Sequence, residues 1–288
     1  MSHFSVVVVT DKDADWETPL APYCESYDEN EEKPSWFDFD IEVDRKDFKT
    51  KATEIVEKLK DGDENKEKYK KWLETEDYTK IFENWFGGEL YKGNWGYWRN
   101  HDAKWDWYAF GGRWCAYFKA KEGKTGVKGE PSWGYGEDWK YPEGKFDQMK
   151  FEDIDWEGMI EEEIKKIKER WDNGEKYLKE KFDDLKKLQE TLPEEAYKDA
   201  REKILKEWEF KFNFQRDDKI ADLVDSVRGR NNRPFAFIGK DGVWHEGAEM
   251  GWWALTSNER PDEFHKEWTE LLKTVKPDDV FTLVDCHI

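Results

Sequence analysis

The chain predicts an α+β fold: a mixed or antiparallel sheet with packed helices, carrying a long inserted antiparallel helical hairpin. Three observations support this. Both ends are β-branched and apolar, residues 4–10 (FSVVVVT) and 280–288 (VFTLVDCHI), as buried strands are. From Trp156 onward, Ile160, Ile164, Ile167, Trp171, Leu178, Leu185, Leu188 and Leu192, then Tyr197, Ala200, Ile204 and Trp208, recur at three-four spacing, the period of a helix face. Short alternating segments around glycine-bearing turns read as further strands.

Taken in order, residues 4–10 form a strand ended by Asp11, Lys12 and Asp13. Residues 17–40, rich in proline, acid and aromatics, read as a long loop. Residues 46–59 place Phe48, Ala52, Ile55, Val56 and Leu59 on one helix face, and 64–85 predict a second helix stopped by Gly87-Gly88. Trp105, Trp107 and Ala109, then Trp114, Ala116 and Phe118, alternate about Gly111-Gly112, which predicts strand, tight turn or bulge, strand. The rest of 93–141 reads as loop. Pro193 with Glu194-Glu195 suits the first turn of a new helix, and so short a link makes the two long helices antiparallel. Residues 220–227 form a short amphipathic segment. Residues 234–238 and 243–246 form a hairpin over Lys240-Asp241-Gly242. Residues 263–275 form a helix carrying Phe264, Trp268, Leu271 and Leu272. The expected organisation is an aromatic-rich core, 1–155 together with 215–288, with 156–214 as the hairpin insertion.

The bulk composition bounds the function. The 288 residues carry a formal charge of -20, so general nucleic-acid binding is not expected, because such a surface repels phosphate. Charged residues make up 40% and aromatics 17% of the chain. Disordered acidic chains lack that aromatic content. Flat rings can build a core or line a site for a ring-shaped ligand. Cys24, Cys115 and Cys286 match no zinc or redox spacing, and reduced thiols in a cytoplasm are expected. The opening apolar run is too short for a signal peptide and lacks a basic flank, and no stretch reaches membrane-spanning length. Cytoplasmic localisation without membrane contact is expected, and homo-oligomerisation stays open.

Three constellations could carry chemistry. Trp105, Trp107, Tyr108, Arg113 and Trp114 surround Gly111-Gly112. There the backbone N–H groups could turn toward one point, Arg113 adds a bidentate donor, and the rings could stack on a base. The plain alternative is a glycine bulge with Arg113 paired to Asp106 and the indoles in the core. Arg228, Arg230 and Arg233, with Asn231 and Asn232, form an anion-binding loop or a solvated turn facing acidic surface. His3, His245, Asp285 and His287 suit a divalent metal or acid–base work if the terminal strands meet. The alternative is histidines bonded structurally at strand ends. No cofactor is expected from motif spacing, since HxxxH and HExxH are absent; a divalent metal rests on that cluster alone. Gly247 to Trp253 (GAEMGWW) reads as a cap on the sheet or the wall of a pocket.

Several separated pieces together resemble one family. They are the opening MSHFSVVVV, LAPY at 20–23, KWDWYAFGGRW at 104–114, DGVWHEGAEMGWW at 241–253 and the closing VDCHI. They are similar to an uncharacterised family of tailed-phage and prophage proteins. The resemblance covers both ends and the aromatic middle, not the hairpin. It implies a viral protein in the host cytoplasm and no particular chemistry. That setting suggests a phage accessory protein that counters host antiviral defence by binding. Its partner would be either a small anionic nucleotide-like ligand or a host defence protein. A metal-assisted nucleotide or phosphoester hydrolase, and a structural or interaction protein without a pocket, are the competing readings.

Overall fold

The structure, a computed structural model, describes residues 2–28, 30, 32–60, 62–136 and 138–288. In chain order its elements are β1 (His3–Thr10), α1 (Glu17–Leu20), β2 (Asp38–Val43), α2 (Phe48–Lys58), α3 (Glu64–Glu74), α4 (Tyr78–Trp85), β3 (Glu89–Tyr91), β4 (Asn94–Arg99), β5 (Trp107–Gly112), β6 (Phe118–Lys119), β7 (Glu130–Pro131), β8 (Lys145–Phe146), β9 (Gln148–Lys150), α5 (Trp156–Lys187), α6 (Glu194–Phe212), α7 (Ile220–Arg230), β10 (Ala236–Ile238), β11 (Trp244–Glu246), β12 (Glu249–Met250), β13 (Thr256–Ser257), α8 (Pro261–Thr274) and β14 (Val280–His287). The fold is α+β. Contacts divide it into two compact units, one of Met1–Pro19 with Tyr108–His287, the other of Leu20–Trp107 with Ile288.

The first unit is built on a mixed sheet ordered β11-β10-β1-β14-β5-β7, with β9 also paired to β14. The two apolar chain ends meet as expected: β1 and β14 pair antiparallel from His3↔His287 to Thr10↔Val280. The expected Asp-Gly hairpin forms as β10 and β11, with Gly242 at φ 76, a conformation glycine adopts without strain. Side chains two apart on a strand share a face, so the register puts Val7, Val9, Leu283, Phe281 and Phe237 together. They pack on Phe264 and Trp268 of α8 and Met159 of α5. The same face turns polar at its other end, where the pairs His3↔His287 and Ser5↔Asp285 lie.

The long helices form as expected and pair antiparallel: Trp171 meets Trp208, and Tyr177 meets Phe212. Gly174 lets the indole of Trp208 approach; a Cβ there would lie 2.7 Å from its Nε1. The base of α5 is not peripheral, however. Met159 belongs to the sheet's core, and Ile160, Ile164 and Ile167 pack on Val224 and Val227 of α7. The segment that separates as a compact unit is Leu20–Trp107, a division unlike the one expected at 156 and 214.

In that second unit, β2-β4-β3 form an antiparallel sheet. Val43 and Trp95 share a core with Ala52, Ile55 and Val56 of α2, Tyr69 of α3, and Ile81 and Phe82 of α4. Two expectations fail here. The helix over 64–85 is two helices, because Glu76 turns to φ 59 and the Thr75 hydroxyl bonds Asp77 at 3.0 Å. Local side-chain bonds of this kind compete with helix. The end of the loop expected over 17–40 and the residues after it form β2, whose acidic side chains mask its alternation. In the first unit the strand-turn-strand expected about Gly111-Gly112 is also absent. β5 ends at Gly112, and Phe118–Lys119 pairs with β8 instead.

Candidate functional site

The turn after β5 is shaped by three residues at positive φ: Gly111 (79), Gly112 (55) and Ala116 (65). The two glycines are required by contact as well as by backbone. A Cβ on Gly112 would lie 2.4 Å from the Cβ of Asp285, and one on Gly111 would lie 2.9 Å from Oδ2 of Asp147. Backbone N–H groups do converge here, but on the protein's own carboxylates. Arg113 N–H donates to Asp285 Oδ2 at 2.8 Å, and Tyr117 N–H donates to Asp147 Oδ1 at 3.2 Å. Asp147 also accepts from Gly129 N–H at 2.9 Å and from the Tyr141 hydroxyl. The expected backbone nest for a phosphate is thus filled from within, and the Arg113 side chain is left on the surface.

Burial pushes the Asp147 carboxyl above its ordinary range, against the pull of the Gly129, Tyr117 and Ala116 N–H groups. The Tyr135 hydroxyl donates to the Arg113 carbonyl at 2.8 Å. Burial, then the Cys115 thiol and the charges of Asp147 and Asp285, push its phenol up to about 12. Burial likewise pushes the Cys115 thiol up. Both groups stay protonated near neutrality.

The second basic motif arrives from the other side. Helix α7 ends at Arg230 and is capped by Asn231, and Asn231 (φ 49) and Asn232 (φ 53) are both left-handed, a conformation asparagine tolerates at helix ends. Three hydrogen bonds pin this stub. Trp268 Nε1–H donates to the Asn231 carbonyl at 3.0 Å, the Tyr117 hydroxyl donates to the Asn232 carbonyl at 2.9 Å, and the Asn232 amide donates to the Trp156 carbonyl at 3.0 Å. Burial, then the Glu163 charge, push the Tyr117 phenol up and keep it a donor. Arg233 donates to the Pro261 carbonyl at 2.7 Å and lies over Phe264.

These two motifs, 117 residues apart in sequence at Arg113 and Arg230, line one cleft of about 640 Å³, within the range of small-molecule sites. Its walls carry five basic side chains, Arg113, Lys145, Lys166, Arg230 and Arg233, against two acidic ones, Glu162 and Glu163. Trp114, Tyr117, Tyr135 and Trp139 supply the rings, and Met159 and Val227 an apolar floor. Lys145 pairs with Glu162 at 2.5 Å. Burial raises the Glu162 carboxyl, but Lys145 and Lys119 outweigh it and hold the group below its ordinary value. Among the described residues no ion pair engages Arg113, Lys166 or Arg230. Arg113, Trp114 and Tyr135 also wall an adjoining cavity of about 440 Å³.

Other expected site residues lie elsewhere. Trp105 is buried and Trp107 exposed in the second unit. The Tyr108 hydroxyl bonds Glu17 at 2.5 Å and its ring meets Trp16. Arg228 is exposed and does not line the cleft. The sequence reading missed Lys145, Lys166, Tyr135 and Trp139, which no motif marks. His3, Asp285 and His287 do come together. His3 Nδ1 lies 3.0 Å from Asp285 Oδ1, and the two imidazoles are 4.9 Å apart in an edge-to-face arrangement. His245 does not join them; it stacks on Phe237 and bonds Glu267 at 3.0 Å. Among the described residues no group of three or more His, Cys, Asp or Glu side chains is arranged to hold a metal. Among them, too, no helix is long and apolar enough to cross a membrane. No protein-family model, curated protein or solved structure matches the chain.

Proposed function

We propose that this protein is a binding protein whose cleft takes up a small anionic ligand bearing an aromatic ring, nucleotide-like in character. The observation that carries this reading is the concentration of five basic and four aromatic side chains on one cleft of a chain with net charge -20. Cations gathered together, three of them without an ion pair among the described residues, lower their mutual repulsion by binding an anion. Sequestration is favoured over turnover by the side chains present. The cleft has no histidine among its described lining, and its cysteine thiol is pushed up by burial, away from the reactive thiolate. In the setting implied by the phage-family resemblance, withholding such a ligand would counter host antiviral defence.

Thermal melting with nucleoside 5′-monophosphates tests the reading. Binding to the native state raises the melting temperature. Arg113→Ala should lose that rise while melting normally on its own, because the bond to Asp285 uses the backbone N–H, which alanine keeps. A rise of equal size in the variant, or none in the wild type, would contradict the assignment.

A further inference from the structure

The cleft's lining combines paired rings with clustered cations, and the combination names a ligand class. Two of its rings, Tyr135 and Trp139, lie 4.6 Å apart. The end of α7 and the side of α5 contribute Arg230, Arg233 and Lys166 to the same cleft. These two arginines flank a stub fixed by Trp268, Tyr117 and the Trp156 carbonyl, and the Arg233 guanidinium is further held by the Pro261 carbonyl and Phe264. Burial, then the charge of Arg230, hold the Arg233 guanidinium below its ordinary value, with Asp262 as the opposing acid. Two guanidiniums and an ammonium lining one cleft suit an anion of more than one charge, because each added charge is met by a further cation.

We infer that the ligand is an aromatic phosphate monoester, with its terminal dianionic phosphate on Arg230, Arg233 and Lys166 and its ring on the Tyr135–Trp139 pair. This rests on the anion-binding reading of the same cleft and adds the ligand's charge state and its orientation. A phosphate monoester carries nearly two negative charges at neutral pH and three acceptor oxygens. A cyclic 3′,5′-phosphate carries one charge and no terminal group, and a nucleoside carries neither.

Calorimetric titration of the full chain decides it. The probes are the four common nucleoside 5′-monophosphates, the matching cyclic 3′,5′-monophosphates, the nucleosides and inorganic phosphate. The best monoester should bind at least about tenfold tighter than its cyclic ester and its nucleoside, as loss of charge-assisted bonds implies. Arg230→Ala, at an exposed position, should erase that preference with its melting unchanged. Trp139→Leu should weaken monoester and nucleoside by the same factor and leave inorganic phosphate unaffected. Equal binding of monoester and cyclic ester, or a preference that survives Arg230→Ala, overturns the inferred class and orientation. The cleft reading then stands if Arg113→Ala still weakens the bound probe. No binding by any probe overturns both.

Discussion

At the residue scale, the turn that presents Arg113 depends on a glycine and on two buried carboxylates. Gly112→Ala must hold alanine at a left-handed φ, costing about 1–2 kcal/mol, and must also displace Asp285. Gly123 has a similar φ of 74 but nothing within 4 Å of its missing Cβ. Urea unfolding should therefore show Gly123→Ala losing only the backbone cost and Gly112→Ala losing clearly more, in total roughly 2–4 kcal/mol. Equal losses would mean that the turn relaxes away from Asp285.

Asp147 gives a pH signature of known sign. Its carboxyl is raised by burial above the ordinary 3.8, so the folded state favours the protonated form. Its stabilising contribution is present below the unfolded value and is lost as pH rises through the folded value. The carboxylates held low by partners, such as Glu162 and Asp155, act oppositely and lose their contribution as pH falls. Comparing stability from pH 3 upward, the gap between Asp147→Asn and wild type should move in the variant's favour as Asp147 ionises, then level off. A gap independent of pH would show that Asp147 ionises as easily folded as unfolded.

At the element scale, what was legible follows from how locally each element is determined. The terminal strands, the α5–α6 pair and the β10–β11 hairpin could be read because β-branched runs, a three-four seam and an Asp-Gly turn are local signals. The pairing of β6 with β8 could not, since short strands carry little pattern and tertiary contacts choose their partners. The cleft was half legible. Arg113 and Arg230 stood out as basic residues in an acidic chain, whereas Lys145 and Lys166 are two lysines among many, selected only by where β8 and α5 pack. The same packing divides the hairpin. Its base holds Met159 and Ile164 against the core and α7, while its outer part pairs α5 with α6 and reaches beyond the hairpin through the Arg216–Glu202 ion pair on the surface. Excising residues 179–205 with a short glycine closure should leave cooperative unfolding near the wild-type temperature. Excising 156–214 should abolish it, because the sheet's core would lose Met159 and α7 its partner. Cooperative folding of the larger deletion would show that the α5 base is dispensable.

At the scale of the whole molecule, the charge of -20 and the basic cleft act over different ranges. Charges beyond about 10 Å are screened at 0.1 M salt, so a small anion inside the cleft experiences mainly its lining, where five cations outnumber Glu162 and Glu163. A polymer laid across the surface meets the acidic remainder. Duplex DNA should accordingly show no saturable binding in fluorescence anisotropy under conditions where the monoester binds. Saturable DNA binding relieved by Arg230→Glu would instead make the cleft part of a nucleic-acid track.

The central claim is a location, and a crystal structure of the protein with its best-binding nucleoside 5′-monophosphate examines it directly. Electron density is expected in the cleft, with a ring against Trp139 and phosphate oxygens within about 3 Å of Arg230 or Arg233, the distance of charge-assisted hydrogen bonds. Ordered ligand at another surface, with the cleft filled only by solvent, would contradict it.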